Sequence, residues 1–189
     1  MPAPRKQVEK PVEKPTEPQE QYFFYATPVI AVTKIVAPNK VNSKEFPPRI
    51  IEKLKQKYGE DVVKHLDVAF DRAINPLSGK EEVYIDGSAI FSAMKQELGI
   101  QGSSLKLPGI SIVGVYFPEE AVTVHESHIT TENGTETLFV AEVIYPGNQG
   151  VLIIRQLKGV EFPAWLKVPT IQIGKTKKRG RGILQIKWQ

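Results

Sequence analysis

The spacing of apolar residues along the chain predicts an α+β domain built on a mostly antiparallel β-sheet. The stretch 22–36 is aromatic and β-branched, which predicts one long buried strand or two strands broken at Pro28. Five further apolar runs have the length of strands: 82–86, 110–117, 150–157, 168–173 and 183–188. Together with a hairpin, these runs predict about five to eight strands.

Three other segments have the spacing of amphipathic helices, and we expect about three helices packed on one face of the sheet. The first begins at Pro47 and Pro48, because proline suits a first helical turn in which its missing N–H would have no partner. The second is predicted over 60–73 and the third over 88–98, which ends before Gly99.

A β-hairpin is the clearest local prediction in the sequence. Residues 121–131 and 135–145 flank Asn133 and Gly134, a pair that tolerates the positive φ values of a type I′ turn. An exposed strand edge such as 135–145 can pair with the same edge of a second copy, so we expect a homodimer.

Composition divides the chain into an arm and a body. Residues 1–20 repeat Val-Glu-Lys-Pro and contain almost no apolar side chains, which predicts a disordered Pro/Glu/Lys-rich arm. Residues 21–189 are expected to form a single domain that carries a basic C-terminal segment at 175–182.

The chain contains no cysteine, which excludes disulfides, thiolate metal sites and thiol catalysis. The sequence lacks a membrane-spanning apolar run and begins with a charged, proline-rich stretch rather than a signal peptide. We therefore expect a cytoplasmic protein with no membrane partner. Abundant Ile, Val, Lys and Glu favour a thermophilic source.

Catalytic motifs are missing from the sequence. Gly174, Lys175 and Thr176 resemble the end of a P-loop, but Pro169 stands where that motif requires glycine. We therefore predict no enzymatic activity, no cofactor and no bound metal. The alternative is a metal-dependent nuclease or nucleotide-binding enzyme with dispersed carboxylates. Asp67 and Asp71 would lie on the polar face of the second predicted helix, beside Arg72, and Asp86 would end the predicted strand 82–86.

A basic segment near the C-terminus is the strongest functional signal. The chain has a net charge of +4, but the charge is unevenly distributed, because residues 175–189 contain six cationic and no acidic side chains. Such cations neutralise phosphates and favour binding to RNA, directly or through a neighbouring protein, or docking on an acidic protein. The predicted nucleic-acid-binding residues are Lys175, Lys177, Lys178, Arg179 and Arg181.

Aromatic residues suggest a protein interface. Tyr22 begins a run of four aromatic side chains, of which one face is expected in the core and the other at an interface. Phe162 and Trp165 belong to an apolar loop that either contacts a partner or closes the core.

In its size, its lack of cysteine and its missing catalytic motifs, the chain resembles the small, dimeric seventh subunit of crenarchaeal type III-B CRISPR (Cmr) complexes. The resemblance implies a non-catalytic accessory subunit of a nucleic-acid-handling assembly, with other Cmr proteins and RNA as partners. A structural protein of an archaeal virus or plasmid is the alternative, since such a protein would share the arm and the β-rich body.

Overall fold

Two β-sheets and three α-helices make up the described part of the molecule. The computed structural model describes residues 21–41, 46–102, 105–130, 132–174 and 182–189. The first sheet has seven strands: β1 (Tyr22–Ala31), β5 (Asp71–Ile74), β6 (Glu81–Asp86), β7 (Ile110–Phe117), β10 (Gln149–Leu157), β11 (Thr170–Gln172) and β12 (Ile183–Ile186). Their order is β11-β12-β1-β10-β7-β6-β5, and every neighbouring pair is antiparallel.

The second sheet has five strands: β2 (Ile35–Val36), β3 (Asn39–Lys40), β4 (Leu66–Ala69), β8 (Val122–Thr130) and β9 (Glu136–Ile144). Strand β9 is central, because β8 pairs along one of its edges while β2 and β4 occupy the other. The β4–β9 pair is parallel, and the remaining pairs are antiparallel.

The three helices are α1 (Pro48–Tyr58), α2 (Glu60–His65) and α3 (Gly87–Glu97). Helix α3 buries Ile90, Ala93 and Met94 in the main core, which also contains the inner faces of both sheets. Its first residue, Gly87, lies so close to β7 that an added Cβ would be 1.8 Å from the carbonyl oxygen of Ile112. Helix α1 buries Ile50 and Leu54 in a smaller, second cluster.

The predicted fold class is therefore confirmed: the chain is α+β, and its larger sheet is antiparallel. Pro28 does not break the first strand, since β1 continues through it to Ala31. The predicted hairpin is confirmed as β8 and β9, with Thr130 paired to Glu136. Its turn is not type I′, because Gly134 has φ +76° but no non-glycine residue among those described has positive φ.

The second predicted helix is wrong beyond His65. Residues 66–69 and 71–74 are instead strands β4 and β5, in different sheets. Leu66 and Val68 are buried on either side of exposed Asp67, which is the alternation of a strand. Parallel pairing with β9, distant in sequence, outweighs the local helical spacing.

The strand edge expected to join two copies, 135–145, is only partly open. Strand β9 has neighbours on both edges at Val140, Ala141, Val143 and Ile144, so a second copy cannot pair with it there. Among the described strands, β9 has no second neighbour at 136–139, and β8 pairs only with β9, so the hairpin is open along β8 and at this end of β9. Across the described ranges, no helix is both long and apolar enough to cross a membrane.

Candidate functional site

The five cations of the predicted nucleic-acid-binding segment lie outside the described residues, as does the predicted N-terminal arm. The structure therefore places none of Lys175, Lys177, Lys178, Arg179 and Arg181. Their assignment to RNA stays a prediction.

Asp67, Asp71 and Asp86 are the carboxylates of the alternative hypothesis, a metal-dependent enzyme. Each of them makes a hydrogen bond that stabilises the fold. Asp67 accepts from the backbone N–H of Val140 at 2.8 Å, and so fixes β4 beside β9. Asp71 accepts from the side-chain amide of Asn39 at 2.9 Å, and burial raises the pKa of its carboxyl. Among the described residues, no group of three His, Asp or Glu side chains is arranged to hold a metal ion.

Asp86 is the N-cap of α3. Its carboxylate accepts from the backbone N–H of Ser88 at 2.8 Å, which satisfies one of the free donors of the first helical turn. Burial alone would raise the pKa of Asp86, but the hydrogen bonds from Ser88 outweigh it and hold the pKa below its ordinary value.

A buried ion pair joins the two sheets. Arg72 of β5 and Glu142 of β9 meet through two hydrogen bonds, Nη1–Oε2 at 2.7 Å and Nη2–Oε1 at 2.6 Å. Their side chains are 2% and 0% exposed. Glu142 also accepts from the Phe70 backbone N–H at 2.9 Å and the Tyr58 hydroxyl at 2.8 Å. Arg72 donates to Glu119, in the 3₁₀ turn before β8, through Nε at 2.8 Å.

The outer part of this cluster is closed by Lys57 of α1. Its ammonium group lies 2.9 Å from Oε2 of Glu119 and also donates to the carbonyls of Glu119 and Val122. Burial would lower the pKa of Arg72, but its hydrogen bonds to Glu142 and Glu119 raise it. Burial would raise the pKa of Glu119, but hydrogen bonds from Arg72 and Lys57 lower it to about 2. Burial and the neighbouring Glu142 raise the pKa of the Tyr58 hydroxyl.

An open cavity of about 530 Å³ lies above the cluster. Arg72 and Glu119 form its floor, and its walls contain Lys53, Gln56, Lys57, Glu81 and Glu120. Each cation among these residues is already paired with a carboxylate: Lys53 with Glu81, Lys57 with Glu119, and Arg72 with both Glu119 and Glu142. We interpret the cluster as a clamp between the sheets and α1 rather than as an anion-binding site.

The aromatic start of β1 is paired with β10 but is partly exposed on both of its faces. Tyr22, Phe23, Phe24 and Tyr25 are 38%, 44%, 42% and 51% exposed. Consecutive residues of a strand face opposite sides, so neither side of this segment is covered by the core. Phe24 pairs with Arg155 of β10, and the Arg155 guanidinium lies over the Tyr22 ring, 4.6 Å from its centroid.

The two predicted interface residues in the apolar loop after β10, Phe162 and Trp165, differ in their exposure. Phe162 is half-buried and stacks on Trp188, with ring centroids 5.1 Å apart. Trp188 is itself fixed by a hydrogen bond from its Nε1 to the carbonyl of Val168 at 2.6 Å. Trp165 remains 52% exposed and is available for contact.

Comparison with solved structures finds a similar fold. The chain is similar to one in the cryo-EM structure of the Type III-B Cmr-beta bound to cognate target RNA, with a TM-score of 0.53 and 13% sequence identity. The chain shares its fold with a component of a Cmr complex. The match covers 88% of this chain but 59% of the Cmr-beta chain, so this chain spans about three-fifths of its counterpart's length.

No family model and no curated protein sequence matches this chain. The expected resemblance to the small seventh Cmr subunit is therefore borne out only in its coarser part, as a likeness of fold to one chain of a Cmr complex, and the match does not identify that chain's subunit.

Proposed function

We propose that the chain is a non-catalytic accessory subunit of an RNA-targeting assembly of the type III-B Cmr kind. The observation that carries this proposal is the fold shared with a chain of Cmr-beta. That chain belongs to a complex determined with its cognate target RNA bound. We infer that the present chain joins a comparable cytoplasmic assembly and reaches RNA as part of it.

Exposed aromatic side chains supply the surface for protein partners. Tyr25 and Trp165 are both more than half exposed, and Phe23 lies on the same side of β1 as Tyr25. Tyrosine and tryptophan are enriched among the residues that dominate the binding energy of interfaces. We assign Phe23, Tyr25 and Trp165 to contacts with other subunits.

The candidate catalytic carboxylates make hydrogen bonds within the fold, which supports an accessory rather than a catalytic role. Asp67 holds a strand pair, Asp71 binds Asn39 and Asp86 caps a helix. The small seventh Cmr subunit, which the sequence resembles, is dimeric. In this chain the open edge of β8 is the surface we assign to a second copy.

The test is affinity purification of the chain from its native cell at low and high salt, followed by identification of the proteins and nucleic acid recovered with it. We expect a particle of fixed stoichiometry that contains other Cmr-type proteins and RNA. Tyr25→Ala combined with Trp165→Ala is expected to reduce the recovered partner proteins at least tenfold, which corresponds to the loss of one to two interface hot spots.

Leu77→Ala is the matched control. Leu77 is 50% exposed, as are Tyr25 and Trp165, but it lies in the turn between β5 and β6, at the opposite end of the sheet from β11 and β12. Recovery of the wild-type chain alone, without partner proteins at low salt, would overturn the proposal.

A further inference from the structure

One face of the first sheet combines aromatic rings and cations at its exposed end. Thr27, Val29 and Ala31 are buried, so the alternate residues of β1, among them Phe24, point to the outer side of the sheet. Arg155 pairs with Phe24 across the sheet and therefore lies on the same side.

A second cation lies further along the same face. Ile186 of β12 is buried and pairs with Val29, so the next residue, Lys187, points outward. The Lys187 backbone N–H donates to the carbonyl of Pro28 at 2.9 Å, which holds this lysine beside β1. Pro28 and Phe24 are four residues apart, so the two cations are about 13 Å from each other along the strand. We call Tyr22, Phe24, Arg155 and Lys187 the outer platform.

Charge is distributed unequally across this sheet. The strands β11, β12, β1, β10 and β7 contain no carboxylate, and Arg155 is their single charged residue. The carboxylates are confined to β6 and β5 at one edge, as Glu81, Glu82, Asp86 and Asp71. The outer platform is therefore positive at the end where the rings are exposed.

These properties favour an anionic ligand that can stack. Exposed rings beside arginine bind unpaired bases, because every base has a π-face, and lysine and arginine neutralise the phosphates between them. The stacking of Arg155 on Tyr22 holds the guanidinium over the sheet, beside Phe24. A paired duplex hides its base faces and could use the cations alone.

We propose that the outer platform binds single-stranded RNA directly, with a base on Phe24 and phosphates on Arg155 and Lys187. This inference rests on the proposed function, since it names the part of the subunit that touches the RNA of the assembly. It also separates the two sides of β1, with Phe24 facing RNA and Phe23 and Tyr25 facing protein.

The experiment uses the purified full chain and a fluorescein-labelled 15-nucleotide oligouridine, with binding followed by anisotropy from 50 to 200 mM KCl. Phe24→Ala is expected to weaken binding about tenfold at every salt concentration and leave the salt dependence unchanged, because stacking releases no counterions. Arg155→Gln and Lys187→Gln are each expected to reduce the slope of log K against log salt by about 0.7, the value for one phosphate contact of a single strand.

Two controls accompany these variants. Leu77→Ala removes an equally exposed apolar side chain away from the platform and is expected to bind as the wild type does. Replacement of the cations at 175, 177, 178, 179 and 181 by glutamine tests the predicted basic segment separately. Cooperative urea unfolding of each variant verifies that it is folded.

The inference is overturned if Phe24→Ala and Arg155→Gln bind the oligouridine as tightly as the wild type, whether or not the basic segment contributes. It is also overturned if Phe24→Ala reduces recovery of partner proteins and leaves RNA affinity intact, because the platform would then be a protein interface. Loss of oligouridine binding by Phe24→Ala supports the inference even if the chain joins no Cmr-type particle, so the two proposals fail independently.

Discussion

The clamp between the sheets and the aromatic start of β1 reverse the usual distribution of side chains. Arg72 and Glu142 place a full ion pair where the side chains are 2% and 0% exposed, whereas Phe24 and Tyr25 leave rings in contact with water. The buried charges have their hydrogen bonds satisfied within the fold, whereas about half of the surface of the exposed residues is left in water. A buried polar group with all its partners fixes how elements fit together, and an exposed apolar one marks where another molecule binds.

The largest loss of unfolding free energy is expected from a substitution of Arg72 in the clamp. Arg72→Met would leave Glu142 charged, buried and without its main partner, and breaking such a pair typically costs about 3–5 kcal/mol of unfolding free energy. Urea unfolding monitored by circular dichroism measures this loss. The double variant Arg72→Met with Glu142→Leu removes both charges and is expected to regain most of the stability. A single variant within about 1 kcal/mol of wild type would contradict the clamp.

Glu119 gives a smaller effect that depends on pH. Its pKa is lowered from 4.5 to about 2, so its ion pairs stabilise the fold fully above pH 4.5, and this contribution is lost as the pH falls towards 2. Because the Glu119 side chain is 40% exposed, solvent screens its ion pairs, and we expect them to contribute about 1 kcal/mol to the free energy of unfolding. Unfolding free energies measured between pH 5 and 2 should fall less steeply in Glu119→Gln. Equal slopes in the two proteins would show that Glu119 is not paired in solution.

The smallest effect on stability is expected at the aromatic end of β1. Phe23→Ala and Tyr25→Ala remove side chains that the core does not cover, so each should change the free energy of unfolding by less than about 0.5 kcal/mol. Thermal and urea unfolding at matched concentrations measure this. A loss above about 2 kcal/mol from either variant would mean that these rings pack within the fold and would remove the contrast with the clamp.

Local sequence patterns are sufficient to predict those elements that are stabilised by residues close to one another in the sequence. Pro47 caps α1 and Pro48 is its first residue, and Asn133 and Gly134 lie in the turn between β8 and β9, as expected. The division into two sheets was not predictable in this way, since it depends on pairs such as β4 with β9, which are far apart in sequence. The apolar residues at 62, 63, 66, 69 and 70 fit one continuous helix, but α2 ends at His65, and only the pairing partners of β4 explain why a strand begins at Leu66.

The clamp was missed for the same reason. The sequence pattern predicts Arg72 on the polar face of a helix, but that helix ends before it, and its partner Glu142 belongs to a strand distant in sequence. One signal was present: Glu142 is the single charged residue between Val140, Ala141, Val143 and Ile144, and a carboxylate inside a buried strand requires a cation. The aromatic run at Tyr22 was recognised, but exposure on both sides of the strand was not.

The position of β1 has a consequence for biosynthesis. This strand is synthesised before both of its pairing partners, β10 at 149–157 and β12 at 183–186. The centre of the larger sheet therefore cannot close until the last of these residues has been synthesised. Until residues 149–157 have been synthesised, the aromatic start of β1 has no pairing partner, and an exposed unpaired strand of this kind favours aggregation.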